Sequence, residues 1–188
     1  LKQTLDKYLY MEKQERAFLT RLVEGTVERK LTLEYYINNV SKTPVNKMKP
    51  VIRCIMRMAA YQIFYMDAVP DSAACNEAVK LAQKRGFQTL KGFVNGVLRN
   101  LSRQKDAIAM PDAQKEPVKS LSVQYSVPEW LVEKVIKDYG MEHAKNMFDS
   151  LYENVGATSI RVNTSKISTE ECVKLLEKEG VHVEKAPY

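Results

Sequence analysis

Apolar residues recur at three- and four-residue steps through most of the first hundred positions, the pattern of helices with one buried face. Phe18, Leu19, Leu22, Val23 and Val27 share a face of a helix expected over about 12–30. Leu33, Tyr36, Ile37 and Val40 continue the rhythm after a break at 30–32, and Pro44 interrupts it. Pro50 stands where proline is tolerated, at the opening of the next helix. That helix carries Val51, Ile52, Ile55, Met58, Ala59 and Ile63 on a broad apolar face. The Val69-Pro70-Asp71 turn offers Asp71 or Ser72 as a cap for a helix running to Arg85, and Gly86 ends it. A further helix over about 89–103 buries Phe93, Val94, Val97, Leu98 and Leu101. This part contains no strand-like alternation.

The pattern changes after residue 103. Residues 104–120 hold Pro111 and Pro117 and few large apolar side chains, so a linker is expected there. Val118, Leu121 and Val123 mark a short helix, Pro128 opens another that Gly140 closes, and Ala144, Met147, Phe148 and Leu151 mark a third. Over 157–162, Ser159 and Arg161 alternate with Ile160 and Val162, which predicts a strand. Ser168-Thr169-Glu170-Glu171 is a capping box for a helix ending at Gly180, and Val181 and Val183 suggest a second strand. Two strands are too few for an independent sheet, so a partial β-α-β unit is expected, cut off at Tyr188. A start at Leu1 rather than Met likewise suggests a piece of a longer protein. The expected organisation is an all-helical domain over 1–103, a linker over 104–120, and a helical segment plus partial β-α-β unit over 121–188.

Composition narrows the possible functions. The 188 residues are 45% apolar, which is globular composition, and no apolar run approaches the length of a membrane span. Cys54, Cys75 and Cys172 are odd in number and widely spaced, which points to a reducing compartment, with the cytoplasm as default. His143 and His182 stand apart from any cysteine pair, so no metal site is expected. The net charge of +6 conceals an asymmetry: residues 1–103 carry 18 Lys and Arg against 9 Asp and Glu, while residues 104–188 carry 11 against 14. A balance of +9 on a small helical domain is the electrostatic footprint of a polyanionic partner.

Several blocks resemble a known family. Residues 14–27 (QERAFLTRLVEGTV), 53–65 (RCIMRMAAYQIFY), 69–84 (VPDSAACNEAVKLAQK) and 92–101 (GFVNGVLRNL) resemble, in order, the N-terminal region of the RsmB (Sun or Fmu) ribosomal RNA methyltransferases. The fold this implies is the all-helical one of the antitermination factor NusB, which has a similar Asn-Glu-Ala-Val and Phe-Val-Asn-Gly-Val-Leu pair. NusB normally ends soon after the last of these blocks, whereas this chain continues for 87 residues. The continuation resembles the RsmB family too: 125–132 (YSVPEWLV) matches its segment after the linker, and 160–163 (IRVN) the strand opening its small RNA-recognition-like domain.

The fold class implied is mainly α: a NusB-like bundle, a short helical segment, and the start of a small α/β domain. The function implied is that of the RNA-binding front end of a bacterial small-subunit ribosomal RNA cytosine-5 methyltransferase. Its partners would be ribosomal RNA and its own methyltransferase domain, with S-adenosylmethionine as the cofactor of that domain. No cofactor or catalytic residue is expected within these residues. Seven glycines, at 25, 86, 92, 96, 140, 156 and 180, form no glycine-rich strand-to-helix turn for that cofactor. The family's cysteines sit in Pro-Cys and Thr-Cys settings, whereas Arg53, Ala74 and Glu171 precede the three here, so no methyl transfer is expected from this chain alone. The competing readings are a NusB-type antitermination regulator and a helical protein-docking module.

Candidate RNA contacts follow from spacing. Lys91, Asn95, Arg99 and Arg103 line one flank of the helix over 89–103, Arg53 and Arg57 one flank of the central helix, and Lys80 and Lys84 one of the helix between. Such rows suit phosphates, which release counterions when neutralised. Arg161 is the candidate in the second part, with Asn163 and Lys166 nearby. Asn76 and Asn95 are read as structural amides, Gly92 and Gly96 as sites of close helix approach, Tyr61 and Tyr65 as core, and Trp130 as a packing anchor.

Overall fold

The computed structural model describes residues 6–8, 10–153 and 159–184. Nine α-helices occur among them: α1 Lys13–Glu28, α2 Lys30–Val40, α3 Pro50–Tyr65, α4 Asp71–Lys84, α5 Lys91–Gln104, α6 Pro117–Tyr125, α7 Glu129–Tyr139, α8 Met141–Glu153 and α9 Thr169–Lys178. The expected helices are present, with ends set by local chemistry. Only Arg29 separates α1 from α2, and Pro50 occupies the first position of α3. Gly86 and Gly140 take φ of +84° and +82° at the ends of α4 and α7, a conformation that costs a residue with a Cβ. The capping box at Ser168 closes in both directions, Glu171 N donating to Ser168 Oγ and Ser168 N to Glu171 Oε2, each over 3.2 Å.

Three expectations change. Pro70, not Asp71 or Ser72, is the residue before α4, and the Asp71 carboxylate turns to Ser102 instead. Gly92 and Gly96 face open space, since a Cβ at either would meet nothing within 4 Å. The close approach occurs at Gly25, where a Cβ would lie 2.1 Å from the Tyr61 ring. Trp130 is 65% exposed, because Val132 and Val135 take the inward face of α7.

The core lies among α1 to α5. Leu33 and Ile37 of α2, Ile52 and Met56 of α3, and Val94, Leu98 and Leu101 of α5 are all buried and belong to one cluster. α3 packs against α1, α2, α4 and α5, which is why its apolar face is the broadest.

The chain divides into two compact units, Leu1–Asp149 and Ser150–Tyr188. Within the first unit α6 packs on α2. Its C-terminal carbonyl at Val123 accepts from the buried Thr32 hydroxyl at 2.5 Å, while Leu31 N at the start of α2 donates to Ser126 Oγ at 2.9 Å. Each helix end thus satisfies an orphan backbone group of the other. Ser126 itself sits at φ +54°, a left-handed position unusual for a side-chain-bearing residue. The stretch expected as a linker is also held, Tyr35 donating to the Ala109 carbonyl at 2.9 Å and Pro111 being buried. Further along, Phe148 of α8 is buried against Tyr125, whose hydroxyl donates to the Asp149 carboxylate.

Thr32→Val should therefore lower stability by about 1–3 kcal/mol, since it strands a buried carbonyl while keeping side-chain shape. A urea-denaturation midpoint indistinguishable from the parent's would show that the α2–α6 clasp contributes nothing.

In the second unit, residues 159–163 and 181–184 form no strand among the described residues. Residues 157 and 158 of the first expected strand lie outside the described ones. Isolated extended segments have no ladder to enter until more strands join them. Ile160, Leu175 and Val181 are correspondingly exposed.

Candidate nucleic-acid interface

Helix α5 carries the candidate surface. Val94, Val97, Leu98 and Leu101 are buried, so the helix is fixed by one face and must present the rest to solvent. Lys91, Arg99 and Arg103 fall on the outward side and are exposed. Arg99 Nε donates to Asn95 Oδ1 at 2.9 Å, one turn earlier, which orients the guanidinium. Among the described residues no carboxylate pairs with Lys91, Arg99 or Arg103.

A groove of about 330 Å³ lies beside this row, lined by Ser72 and Cys75 of α4 and by Gly96, Arg99, Ser102 and Arg103 of α5. Asp71 would oppose anions there, but its carboxylate accepts from Ser102 Oγ at 2.7 Å and pairs with Lys105 Nζ at 3.4 Å. Burial pushes the Cys75 thiol up from its ordinary value, outweighing Arg99, which pulls it down. Cys75 is thus a protonated apolar wall at neutral pH rather than a nucleophile.

The other candidates are placed differently. Arg53 Nη2 donates to the carbonyls of Asn46 at 3.0 Å and Met48 at 3.1 Å, pinning the turn before α3. Arg57 is ion-paired with Glu34, with side chains 16% and 22% exposed. Both arginines are engaged within the fold, and among the described residues the Nε of each is buried without a partner. Lys80 pairs with Glu77 at 2.7 Å, both about two-thirds exposed, a pair that dissolves easily when a phosphate competes. Lys84 is exposed. Arg161 and Lys166 are exposed in the second unit. Further cations of the first unit are also engaged internally: Arg21 Nη2 donates to the Tyr65 carbonyl at 3.0 Å, and Arg29 lies 5.5 Å over the Tyr65 ring. The charge excess of the first part therefore overstates its free cations, and the α5 row is its clearest available share.

The groove was not legible in the sequence, because its walls lie on two helices; the one sequence hint was glycine at 96 within the basic row. Among the described residues no group of three His, Cys, Asp or Glu could hold a metal ion, and no helix is long and apolar enough to cross a membrane.

Comparison with known proteins finds two families along the chain, the second beginning within the first compact unit. Residues 1–103 match the NusB family, and residues 127–188 match the RsmF/B-like methyltransferase ferredoxin-like domain. The probable ribosomal RNA small subunit methyltransferase B of Bacillus subtilis (strain 168) is 36% identical over 92% of this chain and 38% of that protein. The ribosomal RNA small subunit methyltransferase B of Proteus mirabilis (strain HI4320) is 29% identical over 89% of this chain and 37% of that protein. The transcription antitermination protein NusB of Oceanobacillus iheyensis is 36% identical over 45% of this chain and 68% of that protein. The chain thus spans less than two-fifths of the length of these methyltransferase relatives.

Proposed function

The chain belongs to the NusB family through residues 1–103 and continues into an RsmF/B-like ferredoxin-like domain, and on that premise we propose that it holds ribosomal RNA for a cytosine-5 methyltransferase. The observation that carries this reading is the cation row Lys91–Arg99–Arg103 on a NusB-type helix, without a carboxylate partner among the described residues, in a chain that also carries the methyltransferase family's second domain. Lys84 and Lys80 extend the basic surface, and Arg161 adds a contact from the second unit. Arg53 and Arg57 contribute by holding the bundle together. A NusB-type regulator accounts only for residues 1–103 and leaves 127–188 without a role.

In this reading the methyl group comes from S-adenosylmethionine bound by a separate catalytic domain. The described residues do not fit that cofactor: Gly86, Gly140 and Gly180 end helices, and Gly92 and Gly96 lie within one. The Cys75 thiol is buried and protonated, so it supplies no thiolate to add to a cytosine ring. What this chain does is bind and orient the RNA backbone.

The test is a titration with a labelled single-stranded fragment of small-subunit ribosomal RNA. Three phosphate contacts predict a salt slope of about −2, so affinity should fall roughly 20-fold between about 50 and about 200 mM salt. Salt-insensitive binding, or none, would remove the RNA reading and favour protein docking.

A further inference from the structure

We propose that the groove between α4 and α5 takes one unstacked nucleotide of single-stranded RNA, its phosphate on Arg99 and Arg103 and its base against Gly96 and Cys75. This rests on the RNA reading and sharpens it from a charged surface to a shaped recess.

The composition of the walls carries the inference. A site for phosphate alone is built from converging polar donors. Here the lining includes a glycine and a buried thiol beside two serines, and the two arginines stand one helical turn apart on α5. A recess with apolar lining and a few placed polar groups is suited to a molecule with one flat apolar part and one anionic part. A nucleotide has both, and its base is available only when it is unpaired and splayed from its neighbours. Arg99 is prepared for this role. Its Nε is committed to Asn95, while its terminal nitrogens have no protein partner among the described residues. Ser102 holds the Asp71 carboxylate, with Lys105 on the same oxygen, so the acidic group at the start of α4 is already neutralised. Ser72 supplies a hydroxyl on the opposite wall. The volume of about 330 Å³ is at the small end for ligand sites, which suits one nucleotide rather than a stacked run.

Gly96 provides a clean test. Because a Cβ there meets nothing, Gly96→Leu fills the recess without displacing any protein atom at its first carbon, and leucine favours a helix more than glycine does. The full 188-residue chain would be titrated with a labelled single-stranded oligouridylate and with an RNA duplex of equal length. Gly96→Leu should weaken single-strand binding roughly tenfold, the scale of one lost base contact, and leave duplex binding unchanged. Equal affinity of parent and variant for the single strand, or an equal loss on both RNAs, overturns the recess while leaving the RNA reading intact. Failure of the parent chain to bind either RNA overturns both. Should Gly96→Leu melt early, Ser72→Leu narrows the same recess from the other wall and carries the same expectations. Photo-crosslinking with 4-thiouridine in the single strand should label the peptide over 92–103; labels confined to other helices overturn the proposal.

Discussion

Arg57→Met is expected to destabilise the protein by about 2–3 kcal/mol and to leave the RNA affinity of the folded molecules within about twofold. Arg57 of α3 reaches across to Glu34 of α2, and the two side chains are 16% and 22% exposed. Removing the cation leaves a largely buried carboxylate without its partner, which costs more than the pair itself contributed. Full burial would put the loss at about 3–5 kcal/mol; the residual exposure, and an Arg57 Nε that already lacks a partner among the described residues, reduce it. Methionine retains most of the aliphatic stem, so packing loss is a minor part. For a chain of this size the thermal midpoint should drop by roughly 5–10 °C. Adding Glu34→Leu to Arg57→Met should restore much of the loss, since no buried charge then remains, and the double-mutant cycle measures that coupling. An Arg57→Met protein as stable as the parent but more than about tenfold weaker for RNA would return Arg57 to the binding surface.

That outcome bears on what a sequence can disclose. Arg53 with Arg57 and Arg99 with Arg103 are the same pattern, two arginines four residues apart on an amphipathic helix. Their fates differ through neighbours distant in the chain: Glu34 and the carbonyls of Asn46 and Met48 claim the first pair, whereas among the described residues no carboxylate pairs with the second. Helical periodicity reports which face is buried, and it did so for α2, α3 and α5, where Leu33 and Ile37, Ile52 and Ile55, and Val94 and Leu98 are buried; on α1 only Leu22 of the expected stripe is buried, and Val27 is 69% exposed. It does not report what stands opposite a given position. Gly92 and Gly96 have the spacing of a close helix crossing and face open space, while the isolated Gly25 is the one pressed by a ring. Trp130 shows the same limit: α7 is secured by Val132 and Val135, and hydrophobicity alone did not place the tryptophan inside. The α2–α6 clasp depends on Thr32 and Ser126, residues whose hydroxyls carry no signature until two helix ends meet. The alternating stretch around Ile160 forms no strand among the described residues, because strand pairing is a property of two segments.

The double reversal Arg99→Glu with Arg103→Glu should weaken RNA binding by roughly 100-fold near about 100 mM salt and make the salt slope shallower by about 1.4. Two phosphate contacts are removed, each worth about 0.7 in the slope for single-stranded RNA, and two anions are placed where phosphates would lie. The slope carries the discrimination, because a structural defect lowers affinity without altering how many counterions are released. The fold should tolerate the change: both side chains are exposed, and neither is paired with a carboxylate among the described residues. The principal structural penalty is Arg103, in the last turn of α5, where the helix dipole favours a cation by about 0.3–1 kcal/mol. Thermal melting beside the titration separates that small loss from the binding defect. Lys80→Glu with Lys84→Glu on α4 is the matched control, reversing two charges at the same spacing away from the groove lining. If RNA lies along α5, the α4 control should lose markedly less affinity than the α5 reversal. Equal losses from both would mean that diffuse charge alone attracts the RNA. An α5 reversal with unchanged affinity and slope would move the interface off this helix, and with it the nucleotide recess that depends on Arg99 and Arg103.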